Sequence, residues 1–175
     1  MKSRIALEAT LLIVDDDEDL LEMSAAKLES QFGGVLCSSN PLEAVRIAQT
    51  NSIDLAILDF QMPKLNGLEL LTELRRNQPK LPALLLTAHG SDPKVLEAIQ
   101  SGVIFDLVDK PYRFENLMNR ARNALLQPFL WNLLWVQAGQ EAKFKSHQDW
   151  DNLSLDQQEE WLYRLSAVLR MRKVA

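Results

Sequence analysis

At 175 residues the chain is long enough for one domain with a full hydrophobic core, with or without an appendage. Hydrophobic residues at 47% and charged residues at 25% are ordinary for a globular protein and exclude wholesale disorder. Lys+Arg total 19 against 24 Asp+Glu, and the resulting −5 disfavours a surface built to grip nucleic acid or anionic membrane. A single cysteine, Cys37, excludes an intrachain disulfide framework and fits a reducing compartment. The apolar run Phe129 to Val136 is broken by Asn132 and falls short of the roughly 20 residues that a membrane span needs. Glu8 interrupts the apolar stretch behind Lys2 and Arg4, a poor secretory pattern. The expectation is a cytoplasmic protein.

Short apolar runs alternate with amphipathic stretches through residue 127. Leu11-Leu12-Ile13-Val14 has the pattern of a buried strand and ends in Asp15-Asp16-Asp17. Leu20, Leu21, Ala25, Leu28 and Phe32 follow near a 3.6-residue period, and Gly33-Gly34 predicts the end of that helix. Val35-Leu36-Cys37 predicts a second strand. Asn40-Pro41 then supplies a capping side chain and an N1 proline for a helix carrying Ala44, Val45, Ile47 and Ala48. Leu55 to Leu58 predicts a third strand ending at Asp59, and a loop with Pro63 and Gly67 leads into Leu68, Leu70, Leu71 and Leu74. Ala83 to Leu86 predicts a fourth strand ending at Thr87. Asp92-Pro93 opens another helix, which Gly102 closes. Val103 to Val108 predicts the fifth strand, ending near Lys110-Pro111, before a helix over Phe114 to Leu126. Continuously apolar strands that alternate with helices imply an α/β fold, a doubly wound five-stranded parallel sheet.

In such sheets function collects at the carboxyl ends of the strands. Asp15 and Asp16 stand at the first strand's end, Asp59 at the third, Thr87 at the fourth and Lys110 at the fifth. Carboxylates crowded together repel, by about 4 kcal/mol for two unit charges roughly 4 Å apart at an effective dielectric near 20. A raised pKa or a bound cation resolves the conflict, and an oxygen-only ligand set favours Mg²⁺. The chemistry such a pocket supports is metal-assisted phosphoryl transfer to a carboxylate, giving an acyl phosphate. Taken singly, the aspartates could equally cap the first helix, Asp59 and Thr87 could be turn or cap residues, and Lys110 a solvated surface lysine.

Four segments in order carry a family resemblance: Ile13-Val14-Asp15-Asp16-Asp17; Leu58-Asp59-Phe60-Gln61-Met62-Pro63 with Gly67; Leu86-Thr87-Ala88; and Val108-Asp109-Lys110-Pro111-Tyr112. Together they resemble the receiver domain of bacterial two-component response regulators, of the chemotaxis-regulator kind, over about residues 10–127. The resemblance implies a flavodoxin-like strand order 2-1-3-4-5. It implies Asp59 as phosphoacceptor, and Asp15, Asp16, Asp59 and the Gln61 carbonyl as Mg²⁺ ligands. Thr87 would be the switch hydroxyl and Lys110 the lysine that pairs with phosphate, preceding a cis bond to Pro111. A sensor histidine kinase or phosphotransfer protein is the implied upstream partner, and the protein is not expected to be a turnover enzyme. Leu107 departs from the pattern, standing where the family usually has a switch Tyr or Phe. Arg113 stands where a helix cap is expected, and Gln61 and His89 occupy positions that in the family modulate loss of the phosphoryl group.

The organisation expected is a receiver over 1–127 and a short helical extension over 128–175. Phe129 to Val136 predicts one helix of that extension. Ser154-Leu155-Asp156-Gln157 has the form of a capping box before a second, with Trp161, Leu162, Leu165, Val168 and Leu169 on one face. All four tryptophans, Trp131, Trp135, Trp150 and Trp161, lie there. They point to a homodimer or a helical partner, with packing on the chain's own receiver, or the start of a linker in a longer enzyme, as alternatives. The extension shows no basic recognition helix, so a DNA-binding transcriptional regulator is the rival reading within the same pathway. An aspartate-nucleophile phosphatase is the rival enzyme, but it would carry an acid where Gln61 stands. A flavin carrier is disfavoured by the acidic pocket.

Overall fold

Asp17 accepts a hydrogen bond from Leu20 N–H and starts a helix where an extended apolar segment has just ended. That switch recurs along the chain of the computed structural model, which describes residues 8–137, with side chains through Leu126. The order is β1 (Thr10–Val14), α1 (Glu18–Glu29), β2 (Gly34–Ser38), α2 (Pro41–Thr50), β3 (Leu55–Asp59), α3 (Gly67–Asn77), β4 (Ala83–Thr87), α4 (Pro93–Gln100), β5 (Asp106–Asp109) and α5 (Phe114–Gln137). All pairings are parallel, and the sheet order is β2-β1-β3-β4-β5, the flavodoxin-like order that the motifs imply.

Strand side chains alternate between two cores, as the period of two in a strand demands. Leu12, Val14, Ala56, Leu58 and Leu85 face α2, α3 and α4, whose Ala44, Leu70, Leu74, Val95 and Ala98 close one layer. Leu11, Ile13, Ile57, Leu84 and Leu86 face α1 and α5, packing with Leu21, Leu28, Leu117 and Ala121. β3 and β4 are buried throughout, which is why their sequences are unbroken apolar runs.

Helix starts follow local chemistry. Asn40 caps α2 through Leu42 N–H, with Pro41 at the first position, and Asp92 caps α4 through Lys94 N–H ahead of Pro93. Asn66 and Glu69 form a reciprocal capping box at α3.

Three boundaries differ from the sequence reading. β5 begins at Asp106, three residues after Val103, because the first half of that apolar run closes α4 instead. Gly102, at φ +70°, turns the chain, and the N–H groups of Val103 and Ile104 both donate to Ala98 O. Pairing with β4 resumes when Phe105 N–H donates to Ala83 O. α1 ends at Glu29, and Phe32 reaches its buried site through a turn bonded to Leu28 O rather than through helix.

The helix expected to stop at Leu126 runs on to Gln137 with Pro128 inside it. Proline's φ is compatible with helix, and what it forfeits is one N–H donor and some room beside the preceding turn. The second helix expected around 155–169 and the loop before it lie outside the described residues.

Candidate functional site

Parallel register sets the polar strand ends side by side along one edge of the sheet. Val14 pairs with Leu58, so Asp15 and Asp59 follow as neighbours. Asp59 pairs with Leu86, which places Thr87 one residue further, and Thr87 pairs with Asp109, immediately before Lys110. Residues separated by about a hundred positions are thereby brought to one pocket.

Carboxylate oxygens of Asp15, Asp16 and Asp59 lie within 4.8 Å of one another. Asp15 and Asp59 are buried, at 1% and 5% exposure, and Asp16 is exposed at the rim. Lys110 Nζ sits between the two buried acids, 2.6 Å from Asp15 Oδ2 and 2.8 Å from Asp59 Oδ1. Of the three adjacent acids, Asp17 turns away to cap α1, while its N–H donates to Asp15 Oδ1 at 3.1 Å. Capping and pocket duties are thus divided among neighbours.

Burial pushes the Asp59 carboxyl above its ordinary pKa. The hydrogen bond and charge of Lys110 pull it down, and the charges of Asp15 and Asp16 push it up again. Burial alone would lower Lys110, but hydrogen bonds and charge from Asp15 and Asp59 outweigh it and leave the ammonium held above its usual value. The pocket therefore confronts three acids with one firmly charged lysine. This oxygen-only donor set suits a hard divalent cation, with Asp15, Asp16 and Asp59 as the residues able to hold it.

Thr87 is buried at the end of β4. Its Oγ1 accepts the His89 N–H at 2.9 Å, and its carbonyl accepts the Lys110 N–H at 2.7 Å. With its oxygen so engaged, the hydroxyl proton remains available as a donor. Gln61 is exposed in the loop after β3, and His89 is exposed in the loop after β4. The first loop carries Lys64 at φ +76° and closes on Gly67, whose N–H donates to Phe60 O at 3.1 Å. A Cβ on Gly67 would stand 2.5 Å from Asp59 O, so only glycine lets α3 begin against the backbone of Asp59. The Lys110–Pro111 bond is cis. Leu107 is half-buried in β5 and packs against the α2–α4 side of the core.

One pair of side chains went unassigned in the sequence. The hydroxyls of Tyr112, just past Pro111, and Ser24, buried on α1, lie 3.2 Å apart. Nothing in their spacing marks them, since 88 positions separate them.

The family model for the response regulator receiver domain matches residues 11–122, which contain every residue of this pocket. The chain belongs to that family. Receiver domains are the phosphoryl-accepting regulatory units of two-component signal transduction. Among relatives, the transcriptional regulatory protein GlrR of Escherichia coli is 36% identical over 119 residues, covering 68% of this chain and 27% of that protein. The uncharacterized transcriptional regulatory protein YkoG of Bacillus subtilis is 35% identical over 117 residues, covering 67% of this chain and 51% of that protein. The receiver family chain thus spans about a quarter to a half of the length of these relatives. A response regulator receiver domain protein of Clostridium thermocellum superposes with a TM-score of 0.62 at 31% identity, over 70% of this chain and 98% of that one. Among the described residues of this receiver, no helix is long and apolar enough to cross a membrane.

Proposed function

We propose that this receiver accepts a phosphoryl group on Asp59 from a histidine kinase or phosphotransfer protein, and that Mg²⁺ assists. The observation that carries the reading is Asp59 itself: a buried carboxylate beside Lys110 at 2.8 Å, with two further acids within 4.8 Å. An Asp59 oxygen attacks phosphorus in line with the leaving group. A P–O bond forms to the carboxylate while the donor's P–N bond breaks, and its electron pair returns to the imidazole nitrogen. Lys110 compensates the charge gathering on the phosphoryl oxygens. The Thr87 hydroxyl donates to one of them. Asp15, Asp16, Asp59 and the Gln61 carbonyl would hold the cation, which would supply further positive charge beside the phosphoryl group.

The lack of a second acid two residues past Asp59, where Gln61 stands, supports a signalling role over steady turnover. We assign receiver function to 1–127 and output to 128–175, through pairing with a second copy or a helical partner. The support is the concentration of all four tryptophans in that segment.

Incubation with Mg²⁺ and phosphoramidate should add one acid-labile phosphoryl group, absent in Asp59→Asn. Labelling of the asparagine variant would remove Asp59 as acceptor. Beryllofluoride, a mimic of the bound phosphoryl group, should shift tryptophan emission or the mass in solution. If neither changes, the output role of 128–175 falls.

A further inference from the structure

β5 is separated from β1 by two intervening strands, so the two strands stand about 14 Å apart at roughly 4.8 Å per strand. Lys110 nevertheless touches both Asp59 on β3 and Asp15 beyond β1. The lysine side chain therefore reaches back across the sheet edge, and the segment that carries it has to be held for that reach. The Lys110 N–H bond to Thr87 O fixes the backbone of that segment to β4, whereas the ammonium itself is held in the pocket by its ion pairs to Asp15 and Asp59, charges it would have to share with an incoming phosphoryl oxygen.

Outside the pocket there is a second tie. Tyr112 follows Lys110-Pro111, its ring packs into the α1/α5 core, and its hydroxyl lies 3.2 Å from Ser24 Oγ. Ser24 is 2% exposed, in the middle of α1. α1 is in turn anchored next to the acids, because Asp17 caps it and donates its N–H to Asp15 Oδ1. The lysine segment and the acid segment are thus fastened at two points, Lys110 to Asp15 within the pocket and Tyr112 to Ser24 behind it. Burial raises the Tyr112 pKa above its ordinary value, and the charges of Asp15, Lys110 and Asp59 all reach it.

We infer that Tyr112 and Ser24 are a positioning pair for phosphoryl transfer, which sets the reach of Lys110 between Asp15 and Asp59 without touching the phosphoryl group. This rests on the reading of Asp59 as acceptor given above. The pair acts on alignment, so its loss lowers the maximal rate and leaves binding of cation and phosphodonor alone.

The test is a cycle of Tyr112→Phe, Ser24→Ala and the double variant in the full chain, with labelling by phosphoramidate followed over a range of phosphodonor and Mg²⁺ concentrations. Tyr112→Phe keeps the ring and its packing. The maximal rate should fall about five-fold in each single variant and no further in the double, with both half-saturating concentrations unchanged. Wild-type rates in Tyr112→Phe, or losses that multiply in the double variant, would overturn the pairing. A raised half-saturating Mg²⁺ at an unchanged maximal rate would place the effect on Asp15 and would also overturn it. Failure of the wild-type chain to label, or labelling away from Asp59, would instead defeat the parent reading.

Discussion

As the proposed acceptor, Asp59 carries opposing demands: an acceptor must be ionised, yet burial and two neighbouring acids favour its proton. Its pKa in the folded protein is raised above the ordinary value of 3.8, so the folded state holds this proton more tightly than the unfolded chain does. The stability that Asp59 contributes is therefore fully present below the unfolded pKa and is lost as pH rises through the folded one. Asp59→Asn removes that loss. In metal-free buffer the variant should be more stable than wild type at neutral pH, and the advantage should shrink as pH falls toward 4. Urea melts across pH measure it directly. An advantage that grew on acidification would reverse the sign argued for this group. Leu107 presents a different case at the same scale. Without a ring or a hydroxyl it cannot carry an aromatic switch, and it packs against the α2–α4 layer.

Among the elements, α3 begins in tight contact with β3. Its first residue, Gly67, lies so close to β3 that an added Cβ would meet Asp59 O at 2.5 Å and Leu85 Cδ2 at 2.7 Å. Gly67→Ala should cost about 1–3 kcal/mol in a denaturant melt, since a backbone oxygen cannot swing aside as a side chain can. It should also slow labelling, because the displaced carbonyl belongs to the proposed acceptor, Asp59. A variant with native stability would show that the helix start relaxes more cheaply than this contact implies. At its other end α3 is tied to the rest of the layer by Gln78. That side chain accepts from Ile53 N–H and donates to the carbonyls of Ala48 and Asn51. α4 shows how an element boundary shifts when a helix end has to be satisfied: the carbonyl of Ala98 took two N–H groups from a run that reads as strand.

For the molecule as a whole, the acidic pocket is a site of electrostatic strain that a cation would relieve. Mg²⁺ should therefore raise the melting temperature, the added stability being about 2.7 kcal/mol at a hundred-fold excess over Kd. The gain should vanish in the Asp15→Asn, Asp16→Asn double variant. An unmoved melt in the wild-type chain would discard the cation from the mechanism. Two cores flank the sheet, and the acids proposed as ligands stand at or just beyond the ends of strands buried on both faces.

Much of this was legible in the sequence because local signals agreed. Unbroken apolar runs marked strands covered on both faces, Asn40-Pro41 and Asp92-Pro93 marked helix starts, and four short motifs identified the acids, the threonine and the lysine that share the pocket. The sequence alone thus determined the element order and the chemistry of the strand ends. It could not decide which of three consecutive aspartates would cap a helix, where the apolar run after Gly102 would stop serving α4 and begin β5, or that Tyr112 would meet Ser24. Those outcomes turn on register and on contacts between distant segments. Hydrogen-bond partners of that kind leave no periodic trace along the chain, and only the folded sheet brings them within reach.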